Sequence, residues 1–189
     1  MREPDALIGF QQRLMWLGHD VLTLADIWPE APKAMVVGLN PAPVSVHVGH
    51  YYQRQVGQRQ MARLVKAGLF IAPKDSTFLE TEAERAGVGF TDLVKRPSRG
   101  EDDITQIEQE HGRTDLINQL AARAVPLVIC VFRHPANAIM SGKSEIGFQS
   151  QPTPWGGHLF RMPGPYEKRS AASSHLATLR NFLNQSANA

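Results

Sequence analysis

Residues 35–53 read Met-Val-Val-Gly-Leu-Asn-Pro-Ala-Pro-Val-Ser-Val-His-Val-Gly-His-Tyr-Tyr-Gln. An apolar, β-branched run stops at Gly38, and Asn40-Pro41 follows at once. A run of this kind is a short strand buried on both faces, and Asn-Pro cannot continue it. The loop beyond carries Ser45, two histidines and the pair Tyr51-Tyr52. In an open α/β sheet, such loops at strand carboxyl ends line the ligand crevice. A polar amide fixed there by a proline, with aromatics a dozen residues on, suits a pocket for a flat polar ring.

Working outward, the pattern alternates strands with helices. Residues 34–39, 88–94, 126–132 and 158–162 read as four short strands. Residues 57–67 read as a helix with Met61, Leu64 and Val65 on one face and Gly68 as its stop. Further helices are expected at 77–86, 104–122, 135–140 and 173–183. Leu7, Phe10, Leu14, Leu17, Val21 and Leu24 recur at three- and four-residue spacing. This places an N-terminal helix within residues 5–25. The polar tail, 184–189, is expected to fray. Together these elements give one domain over 1–189. Its fold class is α/β, a three-layer α/β/α sandwich around a mainly parallel four-stranded sheet. Right-handed crossovers then put the strand carboxyl ends on one edge. Three chemically marked segments follow those ends: Asn40; Asp92 with Lys95 and Arg96; and Gly164-Pro165-Tyr166.

Composition excludes several classes. The chain has 189 residues, 42% hydrophobic and 20% charged, ordinary for a globular domain. It has no apolar run near the ~20 residues that span a bilayer, and its first residues lack a signal-peptide pattern. A cytoplasmic protein is the expectation. The one cysteine, Cys130, lies in an apolar strand and reads as a buried, inert thiol. His47 and His50 are three apart, but zinc needs three or four ligands and no Cys or carboxylate lies nearby in sequence. No metal or organic cofactor is expected. Ser45 lacks a Gly-x-Ser-x-Gly elbow, and His134 before Pro135 reads as structural. The net charge is only +2, low for a protein held on nucleic acid by charge alone. The basic residues are clustered, however, at Lys95 to Arg99 and at Arg161 to Arg169.

The marked segments resemble the motifs of the uracil-DNA glycosylase superfamily, in particular its mismatch-specific uracil/thymine-DNA glycosylase branch. Gly38-Leu39-Asn40-Pro41-Ala42 resembles that branch's Gly-x-Asn-Pro-Gly loop, with Ala42 replacing the last glycine. Gly89-Phe90-Thr91-Asp92-Leu93-Val94-Lys95-Arg96-Pro97 resembles its Gly-x-Thr-x-Leu-Val-x-Arg-Pro strand. Met162-Pro163-Gly164-Pro165-Tyr166 resembles its last loop, which leads into the wedge that penetrates DNA. Gly164 stands where that loop has Asn or Ser. The resemblance covers residues 34–183 and leaves the N-terminal segment unmatched.

The resemblance implies roles for particular residues. Asn40 takes the place of the amide that positions the attacking water; the alternative is a turn residue capping its own loop. Gly38, Leu39 and Pro41 hold that loop against the base. Tyr52 takes the place of the aromatic that stacks on the flipped base, or is a packed core tyrosine. Asp92 could activate water or stabilise a cationic sugar, or could pair with Lys95 or Arg96. Gly164 belongs to the substrate loop. Lys95, Arg96, Tyr166, Lys168 and Arg169 are the candidate DNA contacts. The implied activity is that of a monofunctional DNA glycosylase of base excision repair, a monomer acting on duplex DNA with uracil or a mismatched base. Two other classes remain open: a damaged-DNA-binding module without catalysis, and a hydrolase of free nucleosides.

Overall fold

The computed structural model describes residues 6–186; residues 1–5 and 187–189, which include the first residue of the expected N-terminal helix and the end of the expected tail, lie outside it. The chain opens with β1 (Gln11–Trp16) and β2 (His19–Leu24), then β3 (Ala34–Gly38), α1 (Pro43–Val48), α2 (Gln55–Ala67), α3 (Glu80–Arg85) and β4 (Val88–Asp92). A 3-10 turn, Glu101–Asp103, precedes α4 (Gln106–Ala122), β5 (Leu127–Cys130), α5 (Arg133–Met140), β6 (Gly147–Phe148), β7 (His158–Arg161) and α6 (Arg169–Ser186).

The central sheet has five strands in the order β4-β3-β5-β7-β6. β3 pairs in parallel with both β4 and β5, and β5 with β7. The sheet is therefore one strand wider than expected. The addition is β6, two residues long and antiparallel to β7, too short to carry any periodicity. Alternate residues of the apolar runs feed two cores. Val36, Phe90, Ile129 and Phe160 pack with Met61 and Leu64 of α2, Ala83 of α3 and Leu179 of α6. Met35, Val37, Val128 and Leu159 pack with Leu116 and Leu120 of α4 and Ile139 of α5. These are the two outer layers of an α/β/α sandwich.

The N-terminal helix is a correction: the chain forms a hairpin there. β1 and β2 pair antiparallel with Trp16 opposite His19, leaving Leu17 and Gly18 as the connection. Both have positive φ, 48° and 82°, the conformation of the tight turns that match strand twist. The helical spacing of leucines coexists with a period of two. Arg13 and Met15 face out while Leu14 and Trp16 turn inward, and closing the hairpin buries Trp16 in the core. Beyond it, Ile27 and Phe90 exchange main-chain hydrogen bonds of 2.8 and 3.1 Å, which covers the edge of β4.

Other boundaries move by a few residues. α1 forms where a loop was expected, begun by Pro43 at its first turn and ended by left-handed Gly49. α4 starts at a capping box between Thr105 and Glu108, and α6 runs through Ser186, into the segment expected to fray. Among the described residues no helix is long and apolar enough to cross a membrane.

Candidate active site

Strand order fixes where a ligand can sit. From β3 the chain crosses to β4 on one side, and β5 then adds on the other. The loops leaving β3 and β5 diverge at that switch point and leave a crevice at the carboxyl edge. A cavity of about 320 Å³ lies there, with Gly38, Leu39 and Asn40 after β3, Asp92 ending β4, and Phe132 after β5 on its walls.

Asn40 is held by its amide nitrogen. Main-chain pairing continues past the strands, with Leu93 N donating to Gly38 O at 3.0 Å and Val94 N to Leu39 O at 2.8 Å. This sets Asn40 beside the Arg96–Ser98 segment. Its Nδ2 donates to Ser98 Oγ at 2.9 Å and lies 3.4 and 3.5 Å from the Ser98 and Arg96 carbonyls. Only acceptors surround that nitrogen, so the amide orientation is unambiguous. Ser98 Oγ in turn donates to Gly100 O at 2.8 Å. Asn40 Oδ1 has no donor from the described residues. It is the free acceptor of a fixed amide on the cavity wall.

Asp92 ends β4 opposite Gly38. A methyl group on Gly38 would run into its carboxylate, so only glycine admits an acid here. Asp92 is 5% exposed. Burial pushes its carboxyl from 3.8 up to about 7; the Lys95 charge partly opposes this and the Asp26 charge adds to it.

Tyr52 approaches the same point from the other side. Its hydroxyl would lie 3.2 Å from a methyl on Gly38, is buried, and has no protein partner among the described residues. Burial first, then the Asp92 charge, drives its pKa well above the ordinary phenol value. Its φ is +56°, and Gly57 of α2 packs directly on its backbone. Tyr51, its neighbour, also lines the cavity but is buried in the core, its hydroxyl donating to Ala25 O at 3.2 Å. The turn is pinned by buried Glu80, which accepts from Tyr51 N at 2.6 Å and contacts His50 Nδ1 at 3.2 Å. His50 also stacks on Phe78, a packing role.

Two expected DNA contacts are engaged by carboxylates of the protein itself. Lys95 Nζ lies 2.6 Å from Asp26 Oδ1, 2.9 Å from Thr91 Oγ1 and 2.9 Å from Asp92 O. Those three acceptors use all three ammonium protons. Arg96 forms a fork on Glu108 at 2.6 and 2.9 Å and also donates to Asp103 O. This pairing holds the Glu108 carboxyl down at about 2. Sequence shows that both residues are basic, but their partners lie at Asp26 and Glu108.

The last loop is fixed from α2. Gln60 and Arg63 donate to Pro163 O at 3.1 and 3.2 Å, and Arg63 to Gly164 O at 3.0 Å. Pro165 and Tyr166 reach the cavity, whereas Gly164 is not on its wall. Tyr166 is 84% exposed, Lys168 is exposed, and Arg169 begins α6. Sequence reasoning missed Phe132 and Arg54, and met Ser98 and Arg99 only within the basic Lys95 to Arg99 stretch. Phe132 had a readable signal as the residue at the end of the third expected strand. Compared with known proteins, the chain matches no family model and no curated sequence, so the likeness to the uracil-DNA glycosylase superfamily rests on its three strand-end motifs.

Proposed function

We propose that this protein is a monofunctional DNA glycosylase of the uracil type, acting as a monomer in base excision repair. The observation that carries the reading is Asn40: an amide whose nitrogen is committed to Ser98 and whose oxygen is free on the wall of a cavity floored by Asp92. Breaking an N-glycosidic bond needs a placed water and relief of two developing charges, on the sugar and on the leaving base. Asn40 Oδ1 accepts one hydrogen of the water and aims its oxygen at C1′. Asp92, as carboxylate, takes the other proton as the C1′–O bond forms and the C1′–N bond breaks. Before that transfer its charge opposes the cationic sugar. The electron pair of the broken bond leaves with the base.

The mostly apolar cavity walls suit an extruded ring, and Tyr52 supplies the aromatic face. Extruding a base costs a few kcal/mol, and least when it is mispaired. This favours uracil opposite guanine. Tyr166, exposed and on the cavity wall, and Lys168, exposed two residues on, are the candidates to meet the gap that the flipped base would leave in the duplex. The reaction as drawn uses no metal or organic cofactor. The expected setting is the cytoplasm, on the nucleoid when bound to DNA.

The test is incubation with oligonucleotides that carry uracil, mispaired thymine, hypoxanthine or an alkylated base, then alkaline cleavage of abasic sites. Strand breaks at uracil support the reading. Tight binding without breaks would indicate a damage-recognition module. Release from free uridine without oligonucleotide turnover would indicate a nucleoside hydrolase.

A further inference from the structure

With Lys95 paired to Asp26 and Arg96 forked on Glu108, a polyanion calls for other cations. Four charged residues line the cavity: Arg54, Asp92, Arg99 and Glu101. Asp92 is on the floor. Glu101 is already engaged, 3.1 Å from Arg133 Nη2 and 3.7 Å from His134 Nε2. The two arginines remain, both exposed.

Their placement is not that of loose surface charges. Arg54 immediately precedes α2, and its Nη1 donates to the Arg99 carbonyl at 2.9 Å. That bond ties the start of α2 to the segment whose Ser98 clamps Asn40, and it leaves most of the Arg54 fork unused. The Arg99 guanidinium has no protein acceptor among the described residues. Apolar Leu24, Leu39, Val56 and Phe132 line the walls behind. An apolar chamber with two guanidiniums at its mouth fits a flat ring attached to an anion. Guanidinium is the side chain best matched to two phosphate oxygens at once.

We propose that Arg54 and Arg99 form a phosphate clamp at the mouth of the cavity, gripping the phosphodiesters on either side of the nucleotide whose base enters it. The proposal rests on the glycosylase reading and sharpens it: the ligand is a nucleotide within a chain. A free nucleotide carries related chemistry, so the experiment must separate the two.

The double variant Arg54→Gln, Arg99→Gln keeps side-chain length and removes both charges, and thermal melting checks its fold. Fluorescence anisotropy measures its affinity for a duplex with one 2′-fluorinated deoxyuridine opposite guanine, whose glycosidic bond resists hydrolysis, across about 50–200 mM salt, the range in which released counterions dominate. Lys143→Gln, also an exposed cation, is the control. Two lost phosphate contacts should reduce the slope of log affinity against log salt by about 2. Affinity at the lowest salt should fall at least tenfold, and the control should match wild type. Arg54→Lys with Arg99→Lys should restore the slope. An unchanged slope in the Gln variant overturns the clamp. So does an unchanged duplex slope accompanied by lost binding of uridine 5′-monophosphate, which would assign the arginines to a free nucleotide. Binding is read without turnover, so the two proposals fail separately. A slope change in a protein that releases no base keeps the clamp and removes the glycosylase. Base release with an unchanged slope does the reverse.

Discussion

Replacing Asp92 with Asn should make the protein more stable and less active, with both effects governed by one ionisation. The carboxyl is buried, and its pKa is raised from 3.8 to about 7. Between those values the unfolded chain gives up the proton while the folded chain keeps it. Stability therefore falls as pH rises through this window, and the full cost is present above the folded value. Three decades of proton affinity at ~1.4 kcal/mol each amount to roughly 4 kcal/mol. Between about pH 5 and pH 8 wild type should lose ~2–3 kcal/mol that Asp92→Asn, neutral throughout, does not lose. For a chain of this length that is a melting-temperature difference of about 5–10 °C. Urea or thermal unfolding of both proteins across that pH range measures it, and titrations common to both cancel in the comparison. In single-turnover assays the wild-type rate should climb with pH and level off above about 7, while Asp92→Asn stays flat and about 10²-fold or more lower, the usual scale of a lost general base. Parallel stability curves would refute the buried, proton-retaining carboxyl. An active Asp92→Asn enzyme with the wild-type pH profile would leave Asp92 a purely structural residue.

Tyr52→Phe keeps the ring and removes a buried hydroxyl that has no protein partner. Base release should stay within about threefold, and stability should hold or rise by about 1 kcal/mol, the scale of relieving an unsatisfied polar group; a tenfold loss of rate would make the hydroxyl a reactant and contradict a stacking role. Ser98→Ala removes the acceptor that Asn40 meets at 2.9 Å. Its stability cost should be only about 1 kcal/mol, with kcat down about tenfold, KM unchanged and Ser98→Thr restoring the rate; an unaltered kcat would mean that the carbonyls alone orient the amide.

The sheet and most helices were legible because continuous apolar runs and flanking Gly and Pro encode buried strands and stops locally. The strand-end positions of Asn40 and Asp92 followed from the expected topology and Tyr52 from the resemblance, and all three line one cavity. The failures have physical causes. At residues 11–24 leucine spacing fits both a helix and a hairpin, and the positive φ available to Gly18 decides for the turn. β6 owes its existence to its neighbour β7, not to its own two residues. Lys95 and Arg96 advertise charge, but a charge is free or spent according to its partners. Asp26 and Glu108 lie far enough away in sequence to be invisible to motif reading. Ser98 acts through a hydrogen bond 58 positions from Asn40, a contact that no local pattern encodes.

The most direct test is the single-turnover release of free uracil from a duplex with uracil opposite guanine, comparing wild type with Asn40→Ala. Wild type should release uracil and leave one abasic site per base freed. Asn40→Ala should bind the same duplex with little change and release uracil about 10²-fold or more slowly, the scale of losing a preorganised polar group at a reaction centre. Equal rates from the two proteins would contradict the assignment of Asn40, and no uracil from wild type would contradict the glycosylase.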